Sequence, residues 1–142
     1  MKLKGLIQLF MISAMGLASA SAQAQVVVII SAKNPISKLN VEQVSQIFLG
    51  QAKTFYSGGQ AEPLDLPEGA AVRNDFYQKC TNKNAAQLKA HRAKLTFSGA
   101  GQAPQTLSDA AAMVKRVAEN PKFIGYVDKS AVDASVKVVL AP

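Results

Sequence analysis

A continuous run of β-branched residues does most to limit the folds that this sequence can adopt. Residues 25–30 read QVVVII, without the polar alternation of a strand that faces water on one side. Such a run is typical of a strand buried on both faces, as in the parallel sheet of an α/β protein. We therefore expect this strand to lie in the interior of a sheet.

Four helices follow from capping residues and apolar periodicity. Asn40 and Asn84 each precede a glutamine by three residues, which is the spacing of a capping box. Ser108 is expected to cap a helix that ends before Pro121, because proline interrupts a helix. The predicted helices cover residues 41–50, about 70–80, 85–95 and 109–120.

Strands are predicted at residues 123–127 and 135–140. EPLDL at residues 62–66 is a candidate edge strand, because proline within a sheet is tolerated mainly at its edges. The order is therefore strand, helix, short strand, three helices and two strands. This order predicts an α/β fold with a small mixed sheet flanked by helices.

The first 24 residues, MKLKGLIQLFMISAMGLASASAQA, have the pattern of a secretory signal peptide. Two lysines precede a short apolar core, and residues 20–22 or 22–24 fit a small-x-small cleavage site. The apolar core is shorter than the roughly 20 residues that span a membrane. We expect residues 1–24 to be removed and residues 25–142 to form one exported domain, most simply periplasmic, without a membrane span in the mature chain.

Residue counts argue against an enzyme or a metal site. A domain of about 118 residues can bury a core without disulfides, and Cys80 is the only cysteine. Its helical spacing from Val72 and Phe76 predicts a buried apolar role. The single histidine, His91, has no nucleophile that can be placed beside it, so a half-buried or surface role is expected. We expect no cofactor and no bound metal, since these residues match no ligand spacing.

The charge of the chain favours anionic ligands of small size. The formal net charge is +7, or +5 without Lys2 and Lys4. Aromatic residues do not alternate with basic ones as nucleic-acid stacking requires, so no nucleic-acid partner is expected. A basic stretch is interpreted as a solvated helix face. It consists of Lys79, Lys83, Lys89, Arg92 and Lys94.

The strongest candidate site is LPEGAAVRNDFYQK at residues 66–79, where turn-forming residues precede a helix. The first N–H groups of a helix have no partner within it, and together with the helix dipole they favour an anion. A guanidinium in the first turn adds a bidentate contact to a phosphate-like oxyanion. The predicted anion-binding residues are Gly69, Ala70, Ala71 and Arg73.

The same residues allow a second interpretation. Asp65 and Glu68 have the spacing of a capping box, in which the protein's own carboxylates occupy the helix amides. The residues alone slightly favour this self-capping over anion binding.

A glycine-rich loop, SGAGQ at residues 98–102, is a further candidate. The backbone N–H groups of Ser98, Gly99 and Gly101 could meet a phosphate. The loop lacks the lysine and the spacing of a P-loop, so an ordinary loop between helices is the alternative.

Three segments resemble the phosphate-binding proteins of ABC transporters. LNVEQVSQIFLG is similar to their "ls.eqv..IF.G" segment, and YSGGQAEPLDLPEGAAVRNDFY resembles their "W.dG…v…(S)…R..F" stretch. NPKFIGYV is similar to their "pgaIGYv" strand. These segments occur in the family's order and cover most of residues 35–127.

The resemblance implies a type 2 periplasmic binding-protein-like domain. A full member has two lobes and holds the anion between them at helix N-termini, whereas this chain has residues for about one lobe. Only Arg73 and the backbone of Gly69 to Ala71 match the family's anion-binding pattern. Glu68 to Ala71 replace a turn that commonly carries serine or threonine, and Tyr56 stands where many members carry tryptophan.

We therefore expect a non-catalytic solute-binding-like protein that binds phosphate or a similar oxyanion for a transport or sensing system. The alternative is a periplasmic protein-interaction module that kept the fold and lost the ligand. A homodimer that rebuilds a two-lobed cleft would reconcile the two functions.

Overall fold

The structure is a computed structural model that describes residues 25–142, so the predicted signal peptide at residues 1–24 lies outside the described residues. The strands are β1 (Val26–Ser31), β2 (Glu62–Asp65), β3 (Gln105–Thr106), β4 (Phe123–Asp128) and β5 (Val136–Leu140). The helices are α1 (Val41–Phe48), α2 (Ala71–Thr81), α3 (Ala85–Ser98) and α4 (Ala110–Glu119), and a short 3₁₀ turn covers Lys129–Ala131.

The five strands form one mixed sheet in the order β3-β2-β4-β1-β5, which confirms the predicted α/β fold. All six residues of β1 are buried, as its apolar run predicts. The expected parallel setting of β1 is wrong, because it pairs antiparallel with both β4 and β5. The expected edge position of β2 is also wrong, because β3 pairs in parallel on its outer side and β4 on its inner side.

The helix starts follow the capping residues closely. Asn40 and Asn84 each accept a hydrogen bond from the backbone of a glutamine three residues later, at 2.8 and 2.9 Å, which confirms both capping boxes. The cap of α4 is Asp109 and not Ser108, since its carboxylate accepts from the Ala112 N–H at 2.8 Å. Helix α3 continues to Ser98, three residues beyond its expected end.

The core lies on both faces of the sheet. Neighbouring residues of β4 point to opposite sides, and the side chains of both sets are buried. On one face, the Tyr126 ring stacks on Phe76 of α2, with ring centroids 4.1 Å apart. On the other face, Gly125 lies under α4, where an added Cβ would meet the Sδ atom of Met113 and stand 3.1 Å from Val117. Helices α1 and α2 therefore cover the face of the sheet that carries Tyr126, and α4 covers the opposite face.

Candidate functional site

A buried carboxylate is the centre of the polar cluster next to the start of α2. Asp65, the last residue of β2, is 2% exposed. Its Oδ2 accepts a hydrogen bond from the Tyr77 hydroxyl at 2.8 Å, and its Oδ1 accepts from the Tyr126 hydroxyl. The Leu66 N–H donates to the same Oδ1 at 3.0 Å. Strand β2 ends where α2 and β4 supply these donors, so the carboxylate is satisfied without water.

Two arginines from different helices share this carboxylate. Arg73 of α2 places its Nε 3.2 Å from Asp65 Oδ1, and Arg92 of α3 places an Nη atom 3.2 Å from Oδ2. The same Nη atom of Arg92 also lies 2.6 Å from the Tyr77 hydroxyl oxygen. Two guanidinium groups on one carboxylate leave a net positive charge, which favours an anion nearby.

The ionisation of these groups keeps the hydrogen bonds in place. Burial, and then the charge of Asp65, raise the pKa values of Tyr77 and Tyr126, so both hydroxyls remain protonated donors. Burial alone would lower the pKa of Arg73, but the charge and hydrogen bond of Asp65 outweigh it and raise that pKa. Arg73 is therefore a permanent cation in the cluster.

The start of α2 has no side-chain cap, in contrast to the other three helices. Ala70 occupies the capping position and carries no acceptor side chain. The self-capping interpretation is therefore wrong: Asp65 faces Leu66, the tyrosines and the arginines, and no hydrogen bond runs from the helix amides to Glu68 among the described residues.

A tight turn leads into this helix start. Gly69 has φ of 85°, which favours glycine, and the Ala70 N–H donates to the Pro67 carbonyl at 3.1 Å. The first helical bond runs from the Asn74 N–H to the Ala70 carbonyl at 3.1 Å. At this helix start, the N–H groups of Ala71, Val72 and Arg73 have no hydrogen-bond partner among the described residues, whereas the Ala70 N–H is used by the turn.

Arg73 combines burial with accessible donors. The residue is 8% exposed, and within the described residues its side chain forms a hydrogen bond through Nε alone. Its two Nη atoms form no hydrogen bond with a described residue, and neither is a fully buried atom without a partner. Asp65 thus fixes the guanidinium from one side and leaves its outer edge, with two nitrogens, for another group.

The glycine-rich loop does not present a helix N-terminus. Ser98 is the last residue of α3, and its hydroxyl donates to the Leu95 carbonyl at 3.2 Å. Gly99 has φ of 69°, and its N–H donates to the Thr96 carbonyl at 3.3 Å. Carbonyl groups at a helix C-terminus disfavour an anion, so Ser98 and Gly99 act as a helix end.

Gly101 follows the end of α3 and has a different environment from Ser98 and Gly99. It lines a cavity of about 100 Å³ together with Arg92, Lys53 and Gln102. The Nε atom of Arg92 is buried without a hydrogen-bond partner among the described residues. The three predicted loop residues therefore do not converge on one site.

Sequence reasoning missed four of the residues in the cluster, namely Asp65, Tyr77, Arg92 and Tyr126. The spacing of Asp65 and Glu68 predicts a helix cap, and the basic pattern around Arg92 predicts a solvated side chain. The side chain of Arg92 is only 14% exposed, which corrects that interpretation. A signal was present, since Arg92 follows buried Leu88 by one helical turn and lies on the same face of α3.

The remaining sequence predictions concern single residues. Cys80 is buried, as predicted, and burial raises its thiol pKa to about 12. His91 is half-buried, as predicted, with its Nε2 atom 2.9 Å from the Leu49 carbonyl.

Within residues 25–142, no cluster of histidine, cysteine and carboxylate side chains could hold a metal ion. No helix in this part of the chain is long and apolar enough to cross a membrane.

The chain matches no family model and no curated protein. Solved structures do share its fold. An ABC-type phosphate transport receptor from Vibrio cholerae matches 81% of this chain with a TM-score of 0.61 at 16% identity. A Clostridium perfringens protein described as a phosphate ABC transporter substrate-binding protein, solved with bound phosphate, matches the same share with a TM-score of 0.64 at 21% identity. PstS from Borrelia burgdorferi matches it with a TM-score of 0.61 at 11% identity.

These likenesses establish the fold. The match covers 45%, 44% and 46% of the three proteins, so this chain spans less than half of their length. The resemblance drawn from the sequence is therefore confirmed at the level of the fold, and the coverage fits a relative with about one lobe.

Proposed function

We propose that this protein is an exported, non-catalytic binding protein for phosphate or a similar oxyanion. The anion would lie at the start of α2, where the N–H groups of Ala71 and Val72 and the guanidinium of Arg73 provide the donors. The observation that carries this proposal is the uncapped helix start beside an arginine that is buried, tethered through Nε and accessible through both Nη atoms. Solved neighbours of the same fold include one with bound phosphate.

The chemistry of the donors supports an oxyanion over a neutral ligand. Backbone N–H groups and a guanidinium donate hydrogen bonds and accept none, so they suit a group with several oxygen acceptors. The helix dipole adds partial positive charge at the same point. Asp65 does not cancel this charge, because two arginines share its carboxylate.

Isothermal titration with inorganic phosphate at low salt tests the proposal. We expect one site per chain for the wild type and at least about a tenfold loss of affinity in Arg73→Ala, which corresponds to about 1.4 kcal/mol. Arg116→Ala is the matched control, because it removes the same charge from an arginine whose side chain is 42% exposed on α4. Absence of heat with folded wild-type protein, or equal losses in both variants, would contradict the proposal.

Export is proposed from the first 24 residues. If the signal peptide is cleaved at either expected position, the mature chain begins at Gln23 or Gln25. Mass spectrometry of the protein recovered from a periplasmic fraction measures this directly. Recovery of the intact chain from the cytoplasmic fraction alone would contradict it.

A second candidate function is an interaction module that keeps the fold without the ligand. It is favoured by the extent of the match, because the described residues correspond to less than half of each structural neighbour and an anion at the start of α2 needs a second wall to be enclosed. A homodimer would supply that second wall, and light scattering of the protein at high concentration distinguishes it from a monomer. Association with a transporter or sensor component belongs to the same proposal.

A further inference from the structure

Helix α3 turns an apolar stripe towards solvent. Its inner side is marked by Leu88, the residue of α3 that is buried. The opposite side carries residues spaced by four, three and four positions, which keeps them on one face of a helix. These four residues, all exposed, are Ala86, Ala90, Ala93 and Phe97. We call them the outer stripe of α3.

Phe97 makes the outer stripe unusual. Its side chain is 97% exposed, compared with 64% for Tyr56, the next most exposed large hydrophobic side chain of the described residues. Phe97 also borders an open depression of about 410 Å³, with Ala93, Lys94 and Ser98. An aromatic side chain without contacts provides a large apolar area for a partner.

The charges around the outer stripe are all positive. Lys89 and Lys94 are exposed and lie on either side of the stripe, because successive helical residues are rotated by about 100°. No aspartate or glutamate occurs between residues 76 and 108, a span that includes all of α3. A partner that covers the stripe would therefore place its own charges next to two unopposed lysines.

We propose that the outer stripe of α3 is a docking surface for an acidic amphipathic helix of another protein. The three alanines allow the backbone of a partner helix to approach closely, because small side chains at a helix contact reduce the distance between the axes. Phe97 would insert between apolar residues of the partner, and flanking acidic residues would pair with Lys89 and Lys94. This surface is independent of the proposed oxyanion site.

Two other occupants fit these observations less well. A second copy of α3 would bring its own lysines against Lys89 and Lys94, which like-charge repulsion disfavours. Binding to a bilayer surface becomes stronger with the apolar area that is buried, so it favours bulky apolar side chains. The outer stripe has only one such side chain beside three alanines. An acidic helix uses both the small residues and the charges.

Nuclear magnetic resonance of the ¹⁵N-labelled protein with two synthetic helical peptides tests the proposal. Both peptides carry leucines at the spacing of the outer stripe, one with flanking glutamates and the other with flanking lysines. We expect the glutamate peptide to shift resonances of α3 and to bind at least about tenfold more tightly than the lysine peptide. Phe97→Ala should weaken this binding, whereas Tyr56→Ala, an exposed aromatic outside α3, should not.

Charge reversal provides the decisive comparison. In the Lys89→Glu/Lys94→Glu variant, the preference should change to the lysine peptide, with the fold unchanged by circular dichroism. Equal binding of both peptides, shifts that map outside α3, or no shifts at millimolar peptide would overturn the proposal. Binding to phosphatidylglycerol vesicles that is lost in Phe97→Ala, without selective peptide binding, would also overturn it in favour of a membrane surface.

Discussion

Asp65 receives hydrogen bonds from five donors: one backbone N–H, two tyrosine hydroxyls and two guanidinium groups. Two of the donors, Arg73 and Tyr77, belong to α2, and the others come from β4, from α3 and from the residue after β2, so a single side chain connects β2, β4, α2 and α3. A buried ion pair of this kind is costly to form, and it becomes much more costly when one partner is removed. The carboxylate therefore has a structural role as well as an effect on Arg73.

Replacement of Asp65 by asparagine should destabilise the protein strongly. The change keeps the shape of the side chain but leaves Arg73 and Arg92 without their common anion. We expect a loss of about 3–5 kcal/mol in the free energy of unfolding, measured by urea denaturation. Tyr77→Phe is the milder comparison, since it removes one neutral donor and should cost about 1–3 kcal/mol. A loss under 1 kcal/mol in Asp65→Asn would contradict the structural role.

The buried thiol of Cys80 should make the fold sensitive to alkaline pH. Burial raises its pKa from 9.0 to about 12, so above pH 9 the thiol ionises in the unfolded chain before it does in the folded protein. Stability is therefore fully present below pH 9 and decreases as the pH rises towards 12. We expect the urea midpoint of the wild type to fall between pH 8 and 10, and that of Cys80→Ala to fall less.

The pH range of that measurement separates Cys80 from the tyrosines. The pKa values of Tyr77 and Tyr126 are ordinarily 10.0 and are raised in the folded protein. Ionisation of these tyrosines therefore also lowers the stability of the fold, but only above about pH 10. Below pH 10, a difference in the pH dependence of the urea midpoint between wild type and Cys80→Ala is therefore caused by the thiol. Parallel curves for the two proteins between pH 8 and 10 would contradict this assignment.

At the scale of the element, α2 differs from the other helices in its first turn. Helices α1, α3 and α4 are capped by Asn40, Asn84 and Asp109, and each cap accepts a hydrogen bond from the backbone three residues later. Helix α2 has Ala70 at its capping position, which leaves its amides available at a cost to helix stability. A fold that caps three helices and leaves the fourth open is consistent with an external acceptor at that helix.

Insertion of a cap into α2 should separate stability from binding. In Ala70→Asp, the new carboxylate should accept hydrogen bonds from the amides of Val72 and Arg73 and stabilise the protein by about 0.5–2 kcal/mol. The same carboxylate should repel an incoming anion, with a loss of at least about tenfold in phosphate affinity. Thermal denaturation and calorimetric titration of the same sample measure the two effects.

Ala70→Gly is the matched control for the cap. Glycine at this position supplies no acceptor and no charge, so phosphate affinity should remain near that of the wild type. A stabilised Ala70→Asp protein that still binds phosphate as tightly as the wild type would exclude the start of α2 as the anion site.

At the scale of the whole molecule, the proposed site lies at the surface of the described residues, because Ala71 is exposed. Charges that remain close to solvent are screened by salt, whereas enclosed charges are screened much less. We expect phosphate affinity to fall several-fold between about 20 and 500 mM sodium chloride, measured by titration at constant pH. An affinity that does not change with salt would indicate an enclosed site.

The sequence predicted those parts of the molecule that depend on local patterns. Capping residues located α1 and α3, and the β-branched run of β1 located an interior strand of the sheet. Strand β3 was missed because two exposed residues carry no pattern. The pairing directions of β1 were missed because a buried run has the same composition in parallel and antiparallel settings.

The candidate site was predicted in part for the same reason. Arg73 and the helix start lie within one continuous segment, so residue spacing brings them together. The tethering of Arg73 depends on Tyr126 and Arg92, which lie far from Asp65 in sequence and reach it only through the fold. The helical spacing from Leu88 predicts that Arg92 points inward, but it cannot predict that Asp65 is its partner.

The pairing of β1 has a consequence for the time at which this domain can fold. The strand occupies an interior position of the sheet, and both of its neighbours, β4 and β5, are the last two strands of the described chain. During synthesis from the N-terminus, its hydrogen-bonding edges therefore have no native neighbour until β4 and β5 have been made. The sheet can therefore close around β1 only after β4 and β5 have been made, which makes its closure a late step of chain synthesis.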